Sequence, residues 1–590
     1  MAGNVGLGAA SGEAALRREA PPMATSALGA RWLIRDTVLT GLACGLVVLP
    51  FVVAVVRLLS ESASHLTLTD DLALIDLHTR QAIAWQQQLG VFDRNGWNHP
   101  GPAYFYILGV VYRIFGSNGR SLFVGATLIN GASAVFCIAV VRRWTTATRA
   151  LWAALAIGVL AFALAASGHG STTYSETVLG ALVSPWNPLI VIFPLLLLLL
   201  LCAGAMDRSA LSAVGVLVVG SFVVQTDIST LPLVAMAVVV AEATWVVGEV
   251  RRRRGLSSPP TPVRNRGMVG RALIAVGLVL FVVMWVPPII QQITNHPGNM
   301  TLLYRYFTSG RAGHSWSTAF GAAAAASAVL VVGPSEVMLK ALQGSQPHQV
   351  LAALVLVVTM ALSLASAVVG FRARSRFGAA LGLLGLLGCV AVVVGVTHVI
   401  GHLYGYLVMW AVVLPVVALV AAGAVGLPRP WSAWLVEKVG PAIVRLVLVA
   451  LVVVTCFASV ARVVTMPPLS AASDPEVAQL VALITPHLRP GETVAVNDGR
   501  AGTSQDDVLI NIERFLGLVN ALDRDGYKPQ VNKFWLVEVG PGYFDNGTAA
   551  RSVLLTTWTP ASPSRDGYLG RVGDMAVLIG REGEFLPPPS

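Results

Sequence analysis

Apolar residues along this chain fall into long blocks separated by short polar stretches. About 20 apolar residues carry a helix across the hydrocarbon core of a bilayer. Blocks of that kind lie at roughly 37–59, 121–141, 150–167, 188–205, 209–225, 231–249, 272–291, 350–370, 377–397, 404–425 and 442–464, so the pattern predicts eleven spans. One further apolar stretch, "AFGAAAAASAVLVVG" (Ala319–Gly333), is short and Ala-rich, and reads as a re-entrant or interfacial helix. The first block is too long for a signal-peptide core and reads as a retained span after a polar tail, 1–36.

Short-loop arginines set the orientation. Arg142, Arg143 and Arg149 follow the second span, Arg251–Arg254, Arg264, Arg266 and Arg271 the sixth, Arg372, Arg374 and Arg376 the eighth, and Arg429 and Lys438 the tenth. With eleven spans and a cytoplasmic N-terminus, all of these share the cytoplasmic face. The first loop (60–120) and everything after the last span then lie outside, in a plasma membrane. Counting the Ala-rich stretch as a full span would put Arg372, Arg374 and Arg376 on the wrong side.

Composition agrees. Only 12% of the 590 residues are charged, against roughly 25% in soluble domains, and the mean hydropathy is +0.71. The net charge is +10, and the positive excess sits mostly in the short loops ahead of about residue 465, a pattern that suits topology signals better than nucleic-acid binding. Cys44, Cys137, Cys202, Cys389 and Cys456 all fall inside apolar blocks, with no metal or disulfide spacing. From about 466 to 590 the character changes. Charge density becomes ordinary, and short runs such as "TVAVND" and "MAVLIG" alternate with a helical "DPEVAQLVALITPHL", capped by Asp474 with Pro475 in its first turn. That region reads as a small α/β domain.

The first loop concentrates ionisable groups between two apolar blocks. After Asp70 and Asp71, "DLALIDLHTRQAIAWQQQ" has helical spacing, with Leu74, Leu77, Gln81 and Trp85 on one side and an i,i+4 pair of Asp76 and Arg80. "FDRNGWNHPGP" is a turn that no helix can cross, and "AYFYILGVVYRIFG" reads as an aromatic helix at the membrane surface.

Asp70-Asp71, "NHPGPAYFYILGVVYRIFG" and "SNGRSL" resemble the GT-C superfamily of membrane glycosyltransferases, most closely its protein O-mannosyltransferase and aminoarabinose-transferase branch. "SPWNP", "VQT" and "HPGN" look like an actinobacterial group within it. The resemblance covers about 1–465 and is strongest over 67–125. It implies a GT-C-like transmembrane domain (37–465) and transfer of a sugar from a polyprenyl-phosphate donor to a hydroxyl on a cell-envelope glycan, lipid or protein. Transfer would occur at the extracytoplasmic face with inversion. No cofactor is implied with certainty; a divalent metal is compatible with the family, and its ligands are unknown.

The same resemblance assigns roles. Asp71 matches the acid that acts as general base, with Asp70 as the second choice; a helix N-cap is the alternative for whichever does not face the cavity. His99 would orient the acceptor or hold a metal, or simply complete a turn. Trp97 would stack on a sugar or sit at the interface. Glu176 and Asp227 are further acids on the outer edge, with capping as the alternative for Asp227. Trp186-Asn187 stand where relatives carry an acid, which weighs against a metal. Arg94, Arg305 and His402 are outer-face cations for the donor phosphate, Arg305 first because arginine grips phosphate with two bonds. Membrane lipids are the expected surroundings. Two other classes compete: a transporter or flippase for a lipid-linked substrate, which should show internal repeats, and a non-catalytic envelope-assembly protein.

Overall fold

The computed structural model describes residues 25–61, 66–93, 95–116, 118–166, 178–254, 267–337, 341–342, 348–426, 440–499 and 505–581. Among these, nine helices are long and apolar enough to cross a membrane, from Asp36–Ser60 to Pro441–Thr465. The shorter apolar helices Ala210–Thr226 and Met409–Val425 occupy the two remaining expected spans. The chain is thus an α-helical, multi-span membrane protein with a small C-terminal α/β domain. The tenth span starts later than its apolar block: 404–412 are short 3-10 turns, and the α-helix proper begins at Val413.

The ends of the first and last spans meet on one face. The Arg57 guanidinium donates to the carbonyls of Val463, Val464, Met466 and Pro467. Arg120, opening the second span, donates to Leu59 O and Glu61 O at 3.2 Å. The opposite face carries the arginine ion pairs Arg208–Glu249 (2.8 Å), Arg376–Asp207 (3.1 Å) and Arg142–Asp36 (3.8 Å).

The Ala-rich stretch forms a helix, Trp316–Val332, whose Ala322–Val329 segment is buried against Gln349–Arg372 and Arg376–Thr397. It therefore packs within the bundle. Its flanks nevertheless return to one face: a side chain on Gly313 would collide with Thr397 O, and Leu342 N donates to Leu403 O at 2.7 Å. The aromatic helix Ala103–Phe115 buries Tyr104, Phe105, Leu108 and Tyr112 on the bundle and leaves Ile107, Val110 and Ile114 exposed. An outward apolar stripe on a short helix suits the membrane boundary.

The C-terminal domain has a five-stranded sheet in the order Lys528–Gln530, Thr493–Asp498, Arg551–Thr557, Met575–Arg581, Tyr568–Val572. Thr493–Asp498 pairs in parallel with both neighbours, and the other pairings are antiparallel. Asp474 caps Pro475–Ile484 as its sequence position implies, accepting from Glu476 N and Val477 N. The first-loop helix, Asp70–Ile83, lies between bundle and domain. Leu72, Ala73 and Ile75 enter the bundle core, while Leu74 and Leu77 enter the domain core with Leu480, Val494, Phe515 and Val553. Its side facing away from the bundle is therefore covered by protein. Trp85, beyond the helix end, has a left-handed φ of 61° and is 81% exposed over Tyr106.

Candidate active site

The face that joins the ends of the first and last spans also carries the first-loop acids. Thr69 precedes the helix in extended conformation, and Asp70 follows with φ 49°. A left-handed non-glycine residue costs roughly 1–2 kcal/mol. That strain falls immediately before Asp71. Asp71 Oδ2 accepts a 2.6 Å hydrogen bond from Trp186 Nε1. Burial pushes the Asp71 carboxyl up to about 6, against the opposing pull of the Trp186 bond, and the nearby Asp93 charge adds to the rise.

Trp186 and Asn187 open the helix Asn187–Met206 after a turn braced by the buried Tyr104, whose hydroxyl donates to Pro185 O. Asn187 stands 3.2 Å from His99 Nε2. His99 Nδ1 accepts from Ile228 N at 3.0 Å, so the neutral ring carries its proton on Nε2; the Asn187 group beside it is the amide Nδ2, and the hydrogen bond forms once that amide is turned over to present its oxygen. Burial depresses His99 to about 3, keeping it neutral. Gly90 makes this packing feasible, because a Cβ there would lie 2.7 Å from His99 Cβ and 2.8 Å from Gln225 O. Both His99 nitrogens are engaged with protein, so the ring acts as a pin between the Asn187 turn and the Ile228 turn.

Asp227 is buried and caps that second turn, accepting from Ser229 N at 2.9 Å. Burial raises it to about 6, again with Asp93 nearby. Ser229 Oγ accepts from Trp410 Nε1 at 2.8 Å, closing the wall. A hydrogen-bonded series thus runs from Asp71 through Trp186-Asn187 to His99, the 227–230 turn and Trp410. Trp97 is buried, packed on His99 (5.7 Å), Tyr306 (5.5 Å) and Phe307 (6.2 Å). It is a wall residue, without the free face that sugar stacking requires.

Of the remaining sequence candidates, Arg305 and His402 lie on other segments of the described chain. Arg305 is exposed on Asn299–Phe307, the helix that packs against Trp97. That helix is tied to the first loop by Asn299, which accepts from Asn98 N and donates to Asn98 O, both at 2.8 Å. His402 is exposed and connects to the site through a run of rings: His402 on Tyr404 (6.1 Å), Tyr404 on Tyr406 (5.7 Å), Tyr406 on Trp186 (5.0 Å). Arg94 and Glu176 fall outside the described residues. Among the described residues, no group of three or more His, Cys, Asp or Glu is arranged to hold a metal ion.

Several site residues escape sequence reasoning. Trp186 and Asn187 were legible only as a departure from an expected acid, yet they join Asp71 to His99. Glu513 and Glu538, from the C-terminal domain, feel the Asp71 charge and, mainly through burial, rise to about 7 and about 8. Nothing local in "NIERFLG" or "WLVEVG" signals this. Chemically, the site offers a carboxyl raised to about 6 beside the span ends, with the raised carboxyls of Glu513 and Glu538 within reach of its charge.

No family model matches the chain, and no curated protein matches it. Among solved structures it is similar to the arabinofuranosyltransferase AftD from Mycobacteria, at 16% identity and a TM-score of 0.31. The match covers 76% of this chain and 29% of that one, so the chain spans less than a third of the length of its structural neighbour.

Proposed function

We propose that this protein is a GT-C-type glycosyltransferase that moves a sugar from a polyprenyl-phosphate donor to a hydroxyl acceptor at the extracytoplasmic face. The observation that carries the reading is Asp71: a carboxyl at the membrane-boundary face, raised to about 6 and aimed by Trp186. A general base works best when its pKa lies near the working pH. Asp71 takes the acceptor proton as the acceptor oxygen attacks the anomeric carbon, the bond to the phosphate oxygen breaks, and polyprenyl phosphate leaves with inversion. The strained Asp70 backbone beside it supports a functional role. Arg208, Arg376 and Arg142 on the opposite face support an outward orientation of the site. Arg305, on the helix held against Trp97 and Asn98, is the proposed phosphate ligand. A cell-envelope glycan, lipid or protein is the proposed acceptor. The test is transfer by the purified protein from a panel of polyprenyl-phosphate sugars to membrane-extract acceptors; no transfer from any donor in the panel would count against the reading.

A further inference from the structure

The C-terminal domain grips the first loop on both sides of Asp70-Asp71. Ahead of them, Thr67 N donates to Ser473 Oγ, Thr67 Oγ1 donates to Asp474 O, and Asp474 N donates back to Thr67 O, each at 2.8 Å. The Arg524 guanidinium donates to Leu66 O. The domain helix Gln505–Arg524 passes so closely that a Cβ on Gly517 would stand 2.9 Å from Leu68 O and 2.8 Å from Val477. Behind the two acids, Arg80 joins three partners. Its Nη1 donates to Asp76 Oδ2 at 2.6 Å, its Nε and Nη2 to Asp523 Oδ2 at 3.0 and 2.8 Å, and its Nη2 to Asn520 Oδ1 at 2.9 Å. Tyr112 holds the other Asp76 oxygen at 2.8 Å, and Gln81 Nε2 donates to Val539 O at 2.8 Å.

These bonds do more than attach a domain. A 14-residue helix is marginal on its own, and this one has Leu74 and Leu77 seated in the domain core. The Asp76 side chain is 0% exposed, so its pairing with Arg80 must be kept: an unpaired buried charge costs several kcal/mol. Asp76 and Arg80 move together on the helix, so it is the bonds from Arg80 to Asp523 and Asn520 that tie the helix's rotation and height to the domain. We propose that the C-terminal domain is a positioning element of the transfer site, in which Gly517, Asn520 and Asp523 set the register of Asp70–Ile83 and so the place of the Asp71 carboxylate beside Trp186. This rests on the transferase reading above and gives the domain a role in catalysis without contact with the reacting atoms. Displacement of a catalytic group by about 1 Å can cost on the order of 100-fold in rate.

The test uses the full chain in detergent or nanodiscs. Arg80→Ala is avoided because it strands the buried Asp76. Asp523, with 25% of its side chain exposed, accepts Asp523→Asn and Asp523→Glu without stranding a charge; Gly517→Ala pushes on Leu68 and Thr69 from the domain side. Asp523→Asn and Gly517→Ala should lower kcat roughly tenfold with donor KM within about twofold, and shift the acid limb of the pH–rate profile. Asp523→Glu should recover most of the rate. Amide hydrogen exchange over Leu72–Ile75 should quicken in Asp523→Asn. A lowered melting temperature with unchanged kcat, pH limb and exchange would overturn the proposal. If the wild-type chain transfers no sugar, the transferase reading fails alone, and unchanged exchange at Leu72–Ile75 would still refute the clasp.

Discussion

Trp186→Phe removes the hydrogen bond from Trp186 Nε1 to Asp71 Oδ2 while keeping an aromatic ring against Tyr406. That bond stabilises the carboxylate over the acid, so its loss must raise the Asp71 pKa above about 6. A hydrogen bond to a charged group contributes about 1.5–3 kcal/mol, and about 1.4 kcal/mol corresponds to one pKa unit. Asp71 retains some solvent contact, which compensates part of the loss, so about one unit is expected. With a base at about 6, half of the wild-type enzyme is competent at pH 6. With a base near 7, only about a tenth of the variant is, so its rate at pH 6 should fall roughly fivefold further than at pH 8. The assay is kcat/KM for sugar transfer from pH 5 to 9. Taking the ratio of rates at pH 8 and pH 6 cancels any uniform loss from repacking around Tyr406. A Trp186→Phe profile that superimposes on the wild type after scaling would refute the assignment of the acid limb to Asp71.

Asp71→Asn should also change stability in a pH-dependent way. The folded carboxyl is raised from 3.8 to about 6, so its ionisation opposes folding as pH rises through that range. The variant should gain stability over wild type at pH 7–8, by at most about 3 kcal/mol, and lose that advantage below about pH 4, as read by thermal unfolding in detergent. Arg305→Ala should raise the donor KM and leave the acceptor KM unchanged, with Arg305→Lys recovering only part, since lysine keeps the charge but loses the planar fork; an unmoved donor KM would remove Arg305 from the site. A reporter fused after Ser590 should be active only outside the cytoplasm and one placed near Ser257 only inside, and reversal at either position would put Asp71 in the wrong compartment.

The spans were readable from the chain because membrane crossing is a local property: twenty apolar residues and a basic flank suffice. The Ala-rich 319–333 stretch was harder, since small residues pack within a bundle as readily as they lie at its surface. The Asp76–Arg80 pair was visible as i,i+4 spacing, but neither the complete burial of Asp76 nor the pair's third member, Asp523, could be seen. Asp523 is 443 residues away from Arg80, and no periodicity reports on such a distance. The same limit hid the sharing of Leu74 and Leu77 with the C-terminal core, and the approach of Glu513 and Glu538 to Asp71. His99 illustrates the reverse case. Its "HPGP" setting made it conspicuous, yet Ile228 N and Asn187 occupy both of its nitrogens, and only tertiary structure reveals that a conspicuous histidine is already satisfied.

The most direct test is sugar transfer by Asp71→Asn beside Asp70→Asn. Asparagine keeps the acceptor oxygen for Trp186 Nε1 and the size of the side chain, but cannot take a proton. Loss of a general base costs about 10²–10⁴-fold in rate, so Asp71→Asn should retain donor binding and fold while transfer falls by that factor, and Asp70→Asn should be clearly milder. Near-normal transfer by Asp71→Asn would contradict the account, whether Asp70→Asn abolishes activity or not.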